Sequence, residues 1–147
     1  MVMRETPSQR AQSCIRTVNT DPAGTIECFK NVLDKDPRNV VALTWLAWSL
    51  ELTSGNLPVQ EAAQLQTSAE DLINRAVAVD PNYSYARAFR AVIAYRHGHY
   101  ADAKRFLADF RNGQPSADAV SVIGQMGLEQ KIDEALRTTG TTTTTTP

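Results

Sequence analysis

Residues 84–115 read SYARAFRAVIAYRHGHYADAKRFLADFRNGQP, and this stretch decides the fold. Small and large apolar side chains alternate along it at helical spacing, as they do where two helices pack closely. Gly98 divides the stretch and supplies the permissive backbone of a turn, while Pro115 ends it because proline cannot continue a helix. The stretch therefore predicts one helix-turn-helix unit.

Prolines mark the ends of two earlier amphipathic stretches in the same way. Pro81 and Pro115 lie 34 residues apart, the length of a helix-turn-helix repeat, whereas Pro37 and Pro81 lie 44 apart. The middle unit therefore carries about ten extra residues. We place this insertion at 57–67, and the strong helix formers of residues 59–79 favour one long second helix over a flexible loop.

The first unit is indicated by an apolar stripe and by capping residues. The stripe at helical spacing consists of Ala11, Cys14, Ile15 and Val18. Asp21 can cap a second helix that has Pro22 at its first position, and Ser116 can cap a later helix in the same way. Two helices therefore precede the middle unit, and at least one follows Pro115.

Taken together, these units predict an all-α fold: a short right-handed α-solenoid of about three helix-turn-helix repeats with a C-terminal capping helix. The length of 147 residues fits one domain. Residues 1–7 are expected to form an N-terminal tail and the Thr-rich residues 138–147 a disordered one, since the latter have no apolar anchor. The repeats are placed at 8–37, 40–81 and 84–115, with capping helices at 116–137.

The two cysteines, Cys14 and Cys28, lack CxxC spacing and have no histidine nearby. Neither a zinc site nor a redox motif is therefore supported. We expect two semi-buried thiols, although the sequence does not fix their oxidation state.

The third unit resembles the tetratricopeptide-repeat (TPR) family, in which small residues, a Gly-Tyr turn, an Ala, a Leu or aromatic residue and a closing Pro recur at this spacing. The residues that carry the resemblance are Ala86, Ala91, Gly98, Tyr100, Ala103, Leu107, Phe110 and Pro115. Arg87 and Arg90 depart from the pattern, because the family has apolar residues there. Such arginines need a carboxylate or carbonyl partner where they are covered.

Within that family, the chain is similar to the repeat region of bacterial cytochrome c biogenesis proteins that escort apocytochrome c. The resemblance covers about residues 11–109 and rests on VVALTWLAWSLEL, INRAVAVDPNYSYARAFRA and YRHGHYADA. It implies repeats exposed outside the cytoplasm behind a membrane anchor, and no anchor is legible here. We therefore expect a soluble chain, either the extracytoplasmic part of a membrane-anchored bacterial protein or a cytoplasmic protein.

In stacked helix pairs, the first helix of each pair lines the concave face, where side chains not used for packing can meet a ligand. The predicted groove set is Val41, Thr44, Trp48, Glu51, Tyr85, Ala88, Val92, Tyr95 and Arg96. This lining suits a protein or peptide with an apolar or amphipathic segment. A core position is equally possible for Trp48 and is expected for Trp45.

Other classes of function are disfavoured. A net charge of -1 gives no field to attract nucleic acid, and no apolar run is long enough for direct membrane insertion. No cofactor or metal motif is legible, and the Lys and Asn pattern that clamps chaperone tails is missing. His97, His99 and Asp102 could form a catalytic or metal-binding cluster, but exposed turn histidines are far commoner, so we predict no enzyme.

The leading hypothesis is a non-catalytic protein- or peptide-binding TPR scaffold, with assistance of cytochrome c biogenesis as its narrower form. The alternative is a structural module that self-associates into a homo-oligomer, through the end of the solenoid or the amphipathic residues 128–136.

Overall fold

The computed structural model describes the backbone of residues 5–144 and the side chains of residues 5–139. Every regular element within this range is an α-helix. The helices are α1 (Pro7–Ile15), α2 (Pro22–Lys35), α3 (Val40–Ser54), α4 (Val59–Val79), α5 (Ser84–Arg96), α6 (Tyr100–Asn112), α7 (Ala117–Met126) and α8 (Leu128–Thr144).

Local capping chemistry sets where several helices begin. The side chains of Thr6, Asp21, Asn39 and Ser116 each accept a hydrogen bond from the backbone N–H three residues further on. These bonds satisfy donors that the first turn of a helix leaves unpaired. The caps predicted at Asp21 and Ser116 are confirmed, and Pro22 occupies the first position of α2 as expected.

The chain divides into two compact units, the first ending at Pro81 and the second beginning at Asn82. The single domain expected from chain length stays a prediction. Each helix in a repeat protein contacts mainly its neighbours in sequence, so length does not fix how many compact units result. The first unit contains α1 to α4, and the second contains α5 to α8.

In the first unit, α3 is the central helix and contacts α1, α2 and α4. Ten of its 15 residues are buried, and none of the other five is fully exposed. The inserted residues 59–67 belong to α4 and lengthen that helix, as the sequence predicts. Phe29 and Val32 of α2 and Ile73 of α4 complete the core of this unit.

In the second unit, α5 packs against α6, α7 contacts α5, and α8 contacts α6. Its core contains Phe89, Ile93, Leu107, Phe110, Ile123, Leu128 and Ile132. Two ion pairs lie beside the α6–α8 contact. Lys104 approaches Asp133 at 3.6 Å, and Arg111 donates two hydrogen bonds to Glu129, at 3.1 and 3.3 Å.

The Thr-rich segment does not leave the fold at Thr138, so the predicted start of the tail is wrong. Helix α8 continues to Thr144, and residues 145–147 lie outside the described residues. The hydroxyl of Thr138 donates to the carbonyl of Glu134, and that of Thr139 donates to the carbonyl of Ala135. Once an amphipathic helix has formed, adding residues costs less than nucleation, so the helix extends into poor helix formers.

The expectation of two thiols is also wrong, because Cys14 of α1 and Cys28 of α2 form a disulfide. Their Cα atoms lie 5.8 Å apart, within the usual range for such a bond. The bond links the shortest helix of the chain to its neighbour; the buried side chains of α1 are only Ala11 and Cys14. With so little apolar surface buried, α1 gains from the covalent link a restraint that adds to its contacts with α2 and α3.

Breaking this disulfide should destabilise the first unit. The bond joins residues separated by 14 positions, and closing a loop of that size contributes about 3 kcal/mol in the chain-entropy account. We expect a Cys14→Ala/Cys28→Ala variant to lose about that much free energy of unfolding, measured by urea denaturation followed by circular dichroism. Reductant should weaken the wild type and leave the variant unchanged. Two free thiols in the untreated protein would contradict the assignment.

The two glycines at the end of α7 should respond oppositely to alanine. Gly127 has a φ of +62°, which a residue with a Cβ adopts only at a cost, so Gly127→Ala should destabilise by about 1 kcal/mol. Gly124 lies within the helix, and a Cβ added there would meet no atom within 4 Å, so Gly124→Ala should stabilise by about 0.5–1 kcal/mol. Thermal unfolding should show a lower midpoint for Gly127→Ala and a higher midpoint for Gly124→Ala. Equal changes of the midpoint in the two variants would show that the helix does not end at Gly127.

Candidate partner-binding surface

The predicted groove set lies on two helices that belong to different units. Val41, Thr44, Trp48 and Glu51 are on α3 of the first unit, and the other five residues are on α5 of the second. Each helix presents its part of the set within its own unit.

Most of the α3 members are buried. Thr44, Trp48 and Glu51 have exposed fractions of 0%, 7% and 1%, whereas Val41 is half-buried. Trp45, which we expected in the core, is half-buried and so more exposed than Trp48. The sequence does not show which side of α3 faces the core. The helix is apolar on every side, and such a helix carries no periodic signal to show which face is covered.

Two buried hydroxyls of α3 are satisfied by the helix itself, whereas the Oγ1 atoms of Thr44 and Thr53 have no partner among the described residues. Ser49 Oγ donates to the carbonyl of Trp45 at 2.8 Å, and Ser54 Oγ donates to the carbonyl of Glu51 at 2.6 Å. Thr44 is different, because its buried Oγ1 has no hydrogen-bond partner among the described residues. An unsatisfied buried hydroxyl destabilises the fold.

On α5, Ala88 and Val92 are buried, while Tyr85 and Tyr95 are half-buried and Arg96 is exposed. We name Tyr85, Tyr95 and Arg96 the α5 surface. These residues stand near the two ends of the helix, and the small buried residues occupy the middle. The α5 surface is the part of the predicted set that a partner can contact directly in the second unit.

Additional aromatic rings extend the α5 surface at both ends. The ring centroid of Tyr85 lies 6.0 Å from that of Tyr83 and 5.8 Å from that of Phe89, and the Tyr95 centroid lies 5.6 Å from that of Tyr100. Tilted pairs at such distances are favourable. Tyr83 and Tyr100 are not in the predicted groove set, although the Tyr-Ser-Tyr spacing of residues 83–85 was available as a signal.

The start of α5, which carries Tyr85, lies against the start of α7, which carries Asp118. The backbone N–H of Ser116 donates to Ser84 Oγ at 2.9 Å, which holds the start of α7 beside the start of α5. Burial raises the pKa of Tyr85 from its ordinary value, and the negative charge of Asp118 raises it further. Asp118 was not predicted as a site residue, because its proximity to Tyr85 arises only when α5 and α7 pack.

The two arginines that interrupt the apolar pattern of α5 have the kinds of partner predicted for them. Arg87 Nη1 donates to the carbonyl of Asp109 at 3.0 Å, and Arg90 Nη2 lies 3.5 Å from Asp109 Oδ2. The Arg90 guanidinium also lies 4.1 Å from the centre of the Phe106 ring. Burial lowers the pKa of Arg90, and the charge of Asp109 opposes that effect.

Gly113 makes room for Arg87. A Cβ at that position would lie 2.5 Å from Arg87 Nη1, so only glycine leaves the guanidinium undisturbed. The carbonyl that Arg87 contacts belongs to the last turn of α6, where a positive charge is favoured by the helix dipole. These two arginines therefore serve the packing of α5 against α6, away from the α5 surface.

The three residues of the histidine cluster considered from the sequence, His97, His99 and Asp102, have contacts of two kinds. The rings of His97 and His99 meet edge to face with centroids 6.5 Å apart, on either side of Gly98. The Asp102 carboxylate pairs with Arg105. Among the described side chains, no group of three or more His, Cys, Asp or Glu residues could hold a metal ion.

A cleft of about 590 Å³ in the first unit is lined by the start of α1 and the end of α2. Its charged side chains balance: Arg10 and Lys35 against Glu5 and Asp34. None of the predicted groove set lines it. Between residues 5 and 144, no helix has both the length and the apolarity required to cross a membrane.

Helices joined by short turns and packed in successive pairs define a helical-repeat fold of the TPR type. A solved structure of the first TPR of Spaghetti (RPAP3), bound to the HSP90 peptide SRMEEVD, is similar to this chain, with a TM-score of 0.62 and 22% sequence identity. The similarity covers 88% of this chain and 95% of that chain. The predicted fold class is therefore confirmed. No protein-family model and no curated protein matches the sequence.

Removing the hydroxyl of Thr44 should stabilise the protein. Thr44→Val keeps the shape of a side chain that is fully buried and replaces an unpaired Oγ1 with a methyl group, so we expect a gain of about 1 kcal/mol in the free energy of unfolding. The matched control is Thr25→Val, since Thr25 Oγ1 is also buried but donates to the carbonyl of Asp21 at 2.7 Å. That variant should lose about 1 kcal/mol in the same denaturation experiment. Losses of equal size would contradict the assignment of Thr44 as unpaired.

Proposed function

We propose that this chain is a non-catalytic scaffold that binds a protein or peptide segment through the α5 surface. The observation that carries the proposal is the accessibility of Tyr85, Tyr95 and Arg96 on a helix whose other apolar residues are largely buried. Tyrosine and arginine are enriched among the residues that contribute most to binding at interfaces. The TPR fold supports the same function, because the similar RPAP3 domain is bound to a peptide.

The chemistry of the bound segment should differ from that of the RPAP3 ligand. SRMEEVD is acidic, and the α3 positions that would have to supply a basic clamp here are Thr44 and Trp48, both buried. The tyrosines of the α5 surface suit an apolar or amphipathic segment instead. The proposed partner is therefore a segment that offers bulky apolar side chains.

A second, narrower function is escort of an apocytochrome during cytochrome c biogenesis. It rests on the sequence resemblance described above, and the disulfide adds support. Disulfides persist in oxidising compartments, and the proteins that the chain resembles expose their repeats outside the cytoplasm. On this proposal, the chain works in an oxidising compartment, and alkylation mass spectrometry of the protein from its native source would find Cys14 and Cys28 joined.

Self-association is the competing function. It would place α8 or the end of the repeat array at an interface between copies of this chain. Light scattering over a range of protein concentrations tests self-association. A mass that stays that of a monomer would exclude it. A mass that rises with concentration in the wild type but not in Leu136→Glu would support it.

The binding proposal predicts that an α5 tyrosine is required. Random peptides displayed on phage and selected on the full chain should yield binders whose affinity falls at least tenfold in Tyr95→Ala, because an aromatic anchor is lost. The control is Phe106→Ala, which removes a half-buried aromatic side chain from α6. Undiminished affinity in a folded Tyr95→Ala variant would exclude the α5 surface as the binding site.

A further inference from the structure

Four of the six carboxylate side chains in the second unit form ion pairs, and Asp118 and Glu134 form none with the described residues. Four acidic side chains have a basic partner: Asp102 with Arg105, Asp109 with Arg90, Glu129 with Arg111 and Asp133 with Lys104. Asp118, in the first turn of α7, is exposed and has no ion-pair partner among the described residues.

The surroundings of Asp118 are aromatic. The hydrogen bond from Ser116 N–H to Ser84 Oγ fixes the start of α7 against the start of α5, where Tyr85 lies. The rings of Tyr83, Tyr85 and Phe89 are neighbours there. The Tyr85 centroid lies 6.0 Å from that of Tyr83 and 5.8 Å from that of Phe89. Asp118 lies two residues after Ser116 and Tyr85 directly follows Ser84, so this hydrogen bond and the packing of α7 against α5 bring the two residues to the same end of the helix pair.

A carboxylate beside tyrosine rings favours a cationic ligand group over an acidic one. The face of an aromatic ring attracts cations, and a nearby carboxylate adds a charge partner for an ammonium or guanidinium group. The same arrangement repels an acidic side chain. A carboxylate in the first turn of a helix also stabilises that helix, but this role alone does not require tyrosines beside it.

We propose that Asp118 and Tyr85 form a subsite for a lysine or arginine side chain of the bound segment. This inference rests on the proposed peptide-binding function and deepens it, because it adds a basic residue to the apolar anchors expected of the partner. It also distinguishes this chain from the RPAP3 domain, whose bound peptide SRMEEVD carries three acidic residues.

The test begins with a library of random peptides displayed on phage and selected on the full wild-type chain. The selected peptides should share a lysine or arginine at one position. The best synthetic peptide is then titrated by fluorescence polarisation, beside an analogue in which norleucine replaces that basic residue. Both peptides are measured on the wild type, on Asp118→Asn and on the matched control Glu134→Gln, which removes an exposed carboxylate from α8. Circular dichroism verifies that all three proteins are folded.

We expect Asp118→Asn to weaken binding of the basic peptide roughly fivefold, whereas Glu134→Gln leaves it unchanged. The norleucine analogue should bind more weakly to the wild type and should not distinguish the wild type from Asp118→Asn. Added salt should lower the affinity of the basic peptide for the wild type more than its affinity for Asp118→Asn, because salt screens the exposed charge pair.

The other outcomes separate this inference from the function on which it rests. Selected peptides that lack a shared basic residue, or that bind Asp118→Asn and Glu134→Gln equally, would overturn the subsite while leaving peptide binding in place. Selection that yields no peptide at all would overturn both.

Discussion

Close approach of helices through alanine is the constraint on which the rest of this structure depends. In both units, fully buried alanines lie where one helix meets the next, including Ala42, Ala47, Ala69, Ala76, Ala86, Ala91 and Ala103. The distance between packed helices is set by the side chains at their contact, and a larger residue at a well-packed position forces the neighbours apart. Alanine therefore fixes the spacing of the pairs, and the larger core residues, such as Phe89 and Ile73, fill what remains.

The consequence for function is that the accessible part of α5 is confined to its ends. Ala88 and Val92 are buried in the middle of the helix, while Tyr85 lies near the start and Arg96 at the end. Arg87 and Arg90 point their charges toward Asp109 and so do not compete for a ligand at these ends. Packing thus decides which chemistry each side of the helix presents.

The sequence predicts those features whose causes are local. Prolines and capping side chains act within one turn, and for that reason Asp21 and Ser116 cap helices as expected. The orientation of α3 could not be read, since VVALTWLAWSLEL is apolar almost throughout and any face could be the buried one. The disulfide and the placement of Tyr85 and Asp118 at one end of a helix pair arise from contacts between helices, and residue spacing along the chain does not predict such contacts. Three residues of the predicted groove set are therefore accessible on α5, whereas three of the four on α3 are buried.

The disulfide between α1 and α2 has a mechanical consequence. A force that pulls on the N-terminal end of the chain passes from Cys14 directly to Cys28 through the sulfur bridge. The 13 residues between them carry no load, and about 45 Å of their extended contour stays hidden until the bond is reduced. The turn that joins α1 to α2 is therefore not stretched. Beyond the disulfide, the force acts on the part of α2 that follows Cys28.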